Sequence, residues 1–137
     1  MSATWGTNTL PCYWENGNLT LLPMGTGNTV GYASNVALDS SGNVYIAGYT
    51  GSSSVSLPCY WENGTLTLLP MGSGNTNGQA GGIALDSLGN TYIGGDTWSS
   101  SYWPPCYWKN GTLNILPMGT GNTGGWGESV VVWAEEK

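Results

Sequence analysis

Short apolar segments alternate with turn segments along the whole chain, and no segment shows the three- to four-residue spacing of a helix. The apolar segments of one unit are 35–39, 43–48, 59–62 and 65–69. The first two flank a Ser-Ser-Gly-Asn turn, and the last two flank Asn63-Gly64, the strongest short hairpin signal. The pattern predicts four short antiparallel strands in each unit.

The unit repeats with a fixed period. Cys12, Cys59 and Cys106 are 47 residues apart, and residues 10–56 agree with residues 57–103 at 33 of 47 positions. Residues 104–137 begin a third copy, and residues 1–9 resemble the end of one. We therefore interpret residues 1–137 as one domain of three copies, cut circularly.

The strands carry apolar residues on both faces, as Leu66, Leu68 and Leu69 show. A sheet that is apolar on both faces has to stack against neighbours. Four-stranded units of this length stacked radially form a β-propeller, so we predict an all-β fold of about three four-stranded blades. A β-solenoid is the alternative, although its coils are usually shorter.

Two segments carry a family resemblance: ALDSSGNVYIAGYT at 37–50 and IALDSLGNTYIGGDT at 83–97. Both resemble the bacterial SBBP β-propeller repeat and, more loosely, NHL repeats. The CYWENG and CYWKNG segments resemble Tyr-Trp-Lys-Asn-Gly repeats of bacterial surface propellers. The resemblance implies blades at 35–70 and 82–117, an extracellular or surface-associated location, and no fixed activity. No signal peptide is visible, so a cytoplasmic location is the alternative.

The resemblance also implies that the third blade is split between the two ends of the chain. Its inner strand would be 129–134, its outer strands would be 12–15 and 18–22, and residues 3–5 would be a remnant of the second strand. Three blades do not close a ring, because propellers have at least four. We therefore predict a homodimer with six blades and, as a less favoured alternative, a nine-bladed homotrimer. The seam residues are Val130, Val131, Val132, Trp133 and Trp5.

Composition excludes several classes of function. With two Lys or Arg residues against eight Asp or Glu and a net charge of −6, the chain is unsuited to bind nucleic acid or an anionic membrane. It has no His to act as a catalytic base, Lys109 lies beside a hairpin turn, and Asp39 and Asp86 are turn residues. We therefore predict a protein that is not an enzyme and has no cofactor.

The three cysteines occupy equivalent positions of successive copies, so we expect them to lie too far apart for a disulfide. No CxxC motif or His accompanies them, which argues against a metal site. We predict small buried thiols. Trp14, Trp61 and Trp108 are present in every copy, and we predict that all three are core residues.

Most differences between the copies fall in the two long connections of each blade, which we expect on one face of the ring. Asp96, Trp98, Tyr102 and Trp103 stand together in the second copy, in place of Tyr49, Gly51, Val55 and Ser56 in the first. Aromatic faces beside hydroxyl and carboxylate groups are typical of a sugar site. The candidate ligand-binding residues are Asp96, Trp98, Tyr102, Trp103, Trp126 and Tyr49. The alternative is that these aromatics pack between blades or at the seam.

Two functions therefore remain open. The chain is a self-assembling propeller subunit that binds a glycan on its long-loop face, or it is a recently duplicated or engineered repeat whose property is assembly alone. Divergence on one face favours the first, and the high identity between copies favours the second.

Overall fold

The computed structural model describes residues 2–5 and 8–133, and their regular structure is entirely β-strand. The all-β prediction is confirmed. The strands are β1 (Ser2–Trp5), β2 (Asn8–Glu15), β3 (Asn18–Leu21), β4 (Val30–Leu38), β5 (Val44–Gly51), β6 (Ser56–Glu62), β7 (Thr65–Leu68), β8 (Asn77–Leu85), β9 (Thr91–Trp98), β10 (Pro105–Lys109) and β11 (Thr112–Ile115). The described residues contain no helix of the length and apolarity that a membrane span requires.

Strands β4 to β7 form the first complete blade, and β8 to β11 form the second, each as consecutive antiparallel neighbours. The inner strand β4 begins at Val30, five residues before the predicted start at Asn35. Its first half pairs with the end of β5, and a bulge between Ala33 and Asn35 separates the halves. The sequence did not mark this first half as a strand, because it is recognisable only through its pairing with β5, which is remote in sequence. β8 repeats the bulge.

The tight turns are built as predicted. The asparagines of the three Asn-Gly turns have left-handed backbone conformations, with φ of 51°, 47° and 49° at Asn16, Asn63 and Asn110. Such conformations match the twist of the paired strands. At the other turn, Asp39 accepts hydrogen bonds from the Ser41 and Asn43 amides, each 2.9 Å long. The Asn43 side chain donates a further bond, which with the amides holds the pKa of Asp39 below its usual value.

The two blades stack face to face. The indole nitrogen of Trp61 donates to the carbonyl oxygen of Pro23 in the preceding copy at 2.7 Å, and Trp108 donates to Pro70 at 2.8 Å. Both tryptophans are fully buried. Buried polar side-chain groups need such partners, so each bond joins neighbouring copies in a defined register.

The N-terminal copy is incomplete in the described structure. β2 pairs with β1 and β3, but its backbone pairs with the first blade at only one position in the described structure, where Thr9 lies parallel to Val30. Trp14 is 50% exposed, so the prediction that all three repeat tryptophans are core residues is wrong for this copy. The physical reason is that no described segment covers Trp14 in the way that Pro23 covers Trp61.

The C-terminal segment also differs from its prediction. Residues 129–133 are not in a strand, because no described strand pairs with them, and residue 134 lies outside the described residues. Glu128 and Ser129 instead pass over the backbone at Gly81, Gly82 and Gly94 of the second blade. This segment therefore stacks on the second blade from the side opposite to the first blade.

The three cysteines are free and buried, which confirms their prediction as thiols that form no disulfide. Burial raises the pKa of the Cys106 thiol to about 12 and also raises that of Cys59. These groups stay protonated near neutral pH, and a protonated thiol is a poor nucleophile.

Candidate functional site

The connection from β9 to β10, residues 99–104, is anchored at both ends. The amide of Ser99 donates to the Tyr102 carbonyl at 2.9 Å, which closes a tight turn. The amide of Trp103 donates to the Thr123 carbonyl at 2.8 Å, and the amide of Gly125 returns a bond of 2.9 Å to Trp103. The loop is thereby attached to the segment that begins the third copy.

Three tryptophans gather on this loop and the attached segment, and we call Trp98, Trp103 and Trp126 the tryptophan cluster. The rings of Trp98 and Trp103 stack with centroids 4.7 Å apart and an interplanar angle of 21°. Trp126 lies tilted against Trp103, with centroids 6.3 Å apart. Trp126 is 68% exposed, so the cluster has one free aromatic face beside a stacked, ordered pair.

Asp96 lies beneath the cluster on β9 and is only 2% exposed. Its Oδ2 accepts a hydrogen bond of 2.6 Å from the Trp103 indole nitrogen. Burial raises the pKa of Asp96, although the hydrogen bonds from Trp103 and Gln79 oppose the rise. The carboxylate therefore orients the Trp103 ring.

A cavity of about 330 Å³ lies beside the cluster, and we call it the loop pocket. Its lining consists of Ser99, Ser100, Ser101, Tyr102, Trp103, Thr123, Gly124 and Trp126. The lining combines four hydroxyl-bearing Ser and Thr residues with three aromatic side chains, and it contains no charged residue. Such a pocket suits a neutral ligand that has hydroxyl groups and one apolar face.

Tyr49, the remaining predicted site residue, does not join this group. Its ring stacks on Tyr32 at a centroid distance of 6.1 Å, and it lines a second cavity of about 410 Å³ with Gln79, Asp96 and Glu128. Trp126 lines both cavities. Asp96 thus lies between the loop pocket, which it supports through Trp103, and the second cavity, which it lines.

The sequence pointed to hydroxyl groups beside these aromatics, but Ser99, Ser100 and Ser101 were not among the candidate residues. They are identical to residues of the first copy, and a search for differences between copies passes over them. It also gave no role to Tyr32 and Gln79. The available signal was that Tyr32, Gln79 and Trp126 occupy one repeat position, where all three copies differ.

The predicted seam residues lie at the edge of the described structure. Val131 and Trp133 are exposed, whereas Val130 and Val132 are half-buried. Trp5 belongs to β1, and its side chain lies outside the described part of the chain. Within residues 2–5 and 8–133, no three His, Cys, Asp or Glu side chains are grouped to hold a metal ion.

Comparisons with known proteins bear on the fold. Residues 20–54 match the SBBP beta-propeller repeat. This confirms the resemblance to SBBP repeats for the segment at 37–50, and the match runs from the end of β3 through β4 and β5. A fucose lectin from Kordia zhangzhouensis, solved in complex with methyl-fucoside, is similar in structure with a TM-score of 0.57. The similarity covers 84% of this chain and 86% of the lectin at 15% identity, so it concerns the fold. No curated protein sequence matches the chain.

Proposed function

We propose that this chain is a non-catalytic, carbohydrate-binding subunit of a β-propeller, with a sugar in the loop pocket. The observation that carries the proposal is the free face of Trp126 beside the Trp98–Trp103 stack and three serines. An aromatic face packs against the C–H groups of a sugar ring, and hydroxyl and backbone groups bind its hydroxyls.

The electrostatics of the pocket support a neutral sugar. The described lining of the loop pocket contains no charged side chain, and Asp96 beneath the cluster is hydrogen-bonded to Trp103. A neutral pocket does not require a ligand charge to be desolvated, which is the costliest part of burying a polar ligand. The chain is also acidic overall, so an anionic sugar is disfavoured.

The similar Kordia zhangzhouensis protein is a fucose lectin. At this level of identity it supports the choice of ligand class and not a specific sugar. We propose neutral glycans as the ligand class, and fucosides are the first members of that class to test.

We further propose that copies of the chain associate into a closed ring, in the simplest case two copies with six blades. The exposed Trp14 at one end and the exposed Val131 at the other support this, because monomeric proteins rarely leave such residues in contiguous patches. In this arrangement the C-terminal segment of one copy adds the inner strand to the N-terminal blade of the other.

A purely structural role is the second candidate. The identity of the copies at 33 of 47 positions supports it, because an array needs only matching blades to assemble. It differs from the first proposal in predicting no sugar binding.

A glycan array followed by isothermal titration with methyl-fucoside tests the binding proposal. Trp126→Ala should weaken the affinity for the bound sugar about tenfold or more, because it removes the exposed aromatic face. Leu88→Ala is the matched control, since the Leu88 side chain is also exposed but lies in a tight turn outside the loop pocket. It should leave the affinity unchanged.

Two outcomes contradict the binding proposal in different ways. If no glycan on the array binds, the structural role replaces it. If a glycan binds but Trp126→Ala and Tyr102→Ala are both without effect, the sugar lies outside the loop pocket.

A further inference from the structure

Two kinds of contact join successive copies, and each kind occurs twice within this chain. For each kind, the third pair of equivalent residues lies apart in the described structure. The first contact is the bond from a tryptophan indole to a proline carbonyl 38 residues earlier, made by Trp61 to Pro23 and by Trp108 to Pro70. The remaining tryptophan is Trp14, and the remaining proline at that repeat position is Pro117. Both lie exposed in the described structure.

The burial of neighbouring side chains follows the same division. Trp61 and Trp108 are 0% exposed, whereas Trp14 is 50% exposed. For the tryptophans, the exposed residue is in the first copy. For the leucine that precedes each proline, the exposed residue is in the last copy. Leu22 and Leu69 are both 4% exposed, whereas Leu116 is 38% exposed. Leu22 packs in the same core cluster as Trp61, and Leu69 packs with Trp108.

The second contact joins a leucine to a glycine. A Cβ at Gly25 would lie 3.4 Å from Cδ2 of Leu66, and a Cβ at Gly72 would lie 3.1 Å from Cδ2 of Leu113. The third members are Leu19 and Gly119. Leu19 is exposed, and no leucine lies within contact distance of the Gly119 Cβ position.

We propose that Trp14 of one copy occupies a socket formed by Leu116 and Pro117 of a second copy and donates its indole N–H to the Pro117 carbonyl oxygen. In the same interface, Leu19 of the first copy packs on Gly119 of the second. This rests on the proposed self-association and identifies the surface responsible. The occupant is a second copy of this chain, because the socket repeats the blade interface that the chain already makes twice with itself.

We call this contact between two copies the joint, and a neighbouring groove extends it. It has a volume of about 440 Å³ and lies between β2 and the end of β4, lined by Trp14, Val36, Leu38 and Val44 among others. Val36 and Leu38 are exposed there, whereas Ile83, which is Val36's counterpart in the second blade, is buried against the first blade. The exposed Val131 of the second copy would lie against this groove when its C-terminal segment joins the N-terminal blade.

The joint is head to tail, because the two surfaces that meet are different. Such joints close into a ring only when their rotation is completed by a whole number of copies. Each copy in the ring then contributes one Trp14 and one socket, and every joint is the same.

Native mass spectrometry at micromolar concentration tests the joint. Trp14→Ala should raise the dissociation constant of the assembly by at least about 30-fold, the loss typical of a buried interface tryptophan. Leu21→Ala is the matched control. Leu21 lies on the neighbouring strand and is exposed, but its copies Leu68 and Ile115 are exposed too. The control should assemble like the wild-type chain.

Mixing two defective variants tests the direction of the joint. Trp14→Ala retains an intact socket, and Leu116→Asp retains an intact Trp14, so neither should assemble alone while their mixture should form a heterodimer with one joint. Both variants should keep the wild-type circular dichroism spectrum, because both side chains are substantially exposed in the single chain.

The outcomes separate this inference from the proposals on which it rests. An assembled wild-type chain whose mass survives Trp14→Ala overturns the socket and leaves self-association standing. A mixture that stays monomeric overturns the head-to-tail direction. A wild-type chain that is monomeric overturns both. The loop pocket lies within residues 99–126 of one chain. Sugar binding can therefore be measured on the Trp14→Ala variant, separately from assembly.

Discussion

The loops that follow β5 and β9 are closed by the same backbone hydrogen bond and carry different side chains. The Ser52 amide donates to the Val55 carbonyl at 2.9 Å, and the Ser99 amide donates to Tyr102 at the same distance. Yet the first loop is flanked by Gly51 and Ser56, and the second by Trp98 and Trp103. Since the same turn forms with either set, closing the turn does not require the tryptophan cluster.

The two loops also differ in how they attach to the next copy. In the first, the Ser56 amide donates to Asn77 Oδ1 at 2.8 Å and its hydroxyl donates to the Gly78 carbonyl at 2.9 Å. In the second, Trp103 and Gly124 make the attachment through backbone atoms. The Trp103 side chain is therefore free to bond Asp96 and to stack on Trp98. Ser56 hydrogen-bonds the next copy through its amide and its side chain, whereas the Trp103 side chain takes no part in the attachment.

The largest expected effect tests whether the two blades are packed in the same way beneath their loops. A methyl group at Gly48 would meet the Tyr32 carbonyl and the Trp61 ring, and one at Gly95 would meet the Gln79 carbonyl and the Trp108 ring. Because these neighbours are backbone and fully buried tryptophan, Gly48→Ala and Gly95→Ala should each lower the free energy of unfolding by about 3 kcal/mol or more. Urea denaturation measures both.

Ser53→Ala, at an exposed loop position, is the control for those variants and should be neutral. If the free energy of unfolding falls strongly for one glycine variant and only slightly for the other, the two blades do not share one scaffold.

A smaller effect tests the feature found only in the second loop. Trp103→Phe keeps an aromatic ring but removes the N–H that donates to Asp96, leaving a buried carboxylate with one partner fewer. We expect a loss of about 1–3 kcal/mol in the free energy of unfolding. Asp96→Asn in the Trp103→Phe background should recover part of that loss. Equal stability of Trp103→Phe and wild type would contradict the role of Asp96 in holding the ring.

The smallest effect is a dependence on pH. Burial raises the pKa of Asp96 above its ordinary value, so the folded chain holds that proton more tightly than the unfolded chain. The resulting stability is fully present below the unfolded pKa of about 3.9 and is lost as pH rises through the folded pKa. Relative to Asp96→Asn, the wild-type melting temperature should therefore fall across that interval.

Thermal melts of the two proteins between pH 3 and pH 7 measure this difference. Because Asp39 and Asp86 have lowered pKa values and contribute with the opposite sign in both proteins, only the difference between the curves reports on Asp96. A constant difference at all pH values would refute the pKa assignment.

Much of the fold could be predicted because it depends on local chemistry. Asn63-Gly64 and Asp39 to Asn43 form their turns through backbone conformations and hydrogen bonds within a few residues. The start of β4 could not, because Val30 to Ser34 are recognisable as a strand only through their pairing with β5. The six-bladed ring, the single 1–137 domain and the location outside the cell stay predictions.

The candidate site was predictable to a lesser degree. Differences between copies singled out Asp96, Trp98 and Trp103, and the structure brings these three together. The same differences put Tyr49 in this group, although it lies against Tyr32 and away from the loop pocket. A repeat comparison shows where side chains vary but not which way they point.

The sequence by itself determined the repeat, its turns and the four-stranded blade, because each follows from patterns within 47 residues. Only the tertiary structure decided which of two identical residues is buried. Trp14 and Trp61 share the same neighbours in sequence, yet Pro23 covers Trp61 and no described residue covers Trp14 in this way. Burial depends on segments that fold against a residue from elsewhere in the chain, or from another copy of it, and local sequence does not encode their presence.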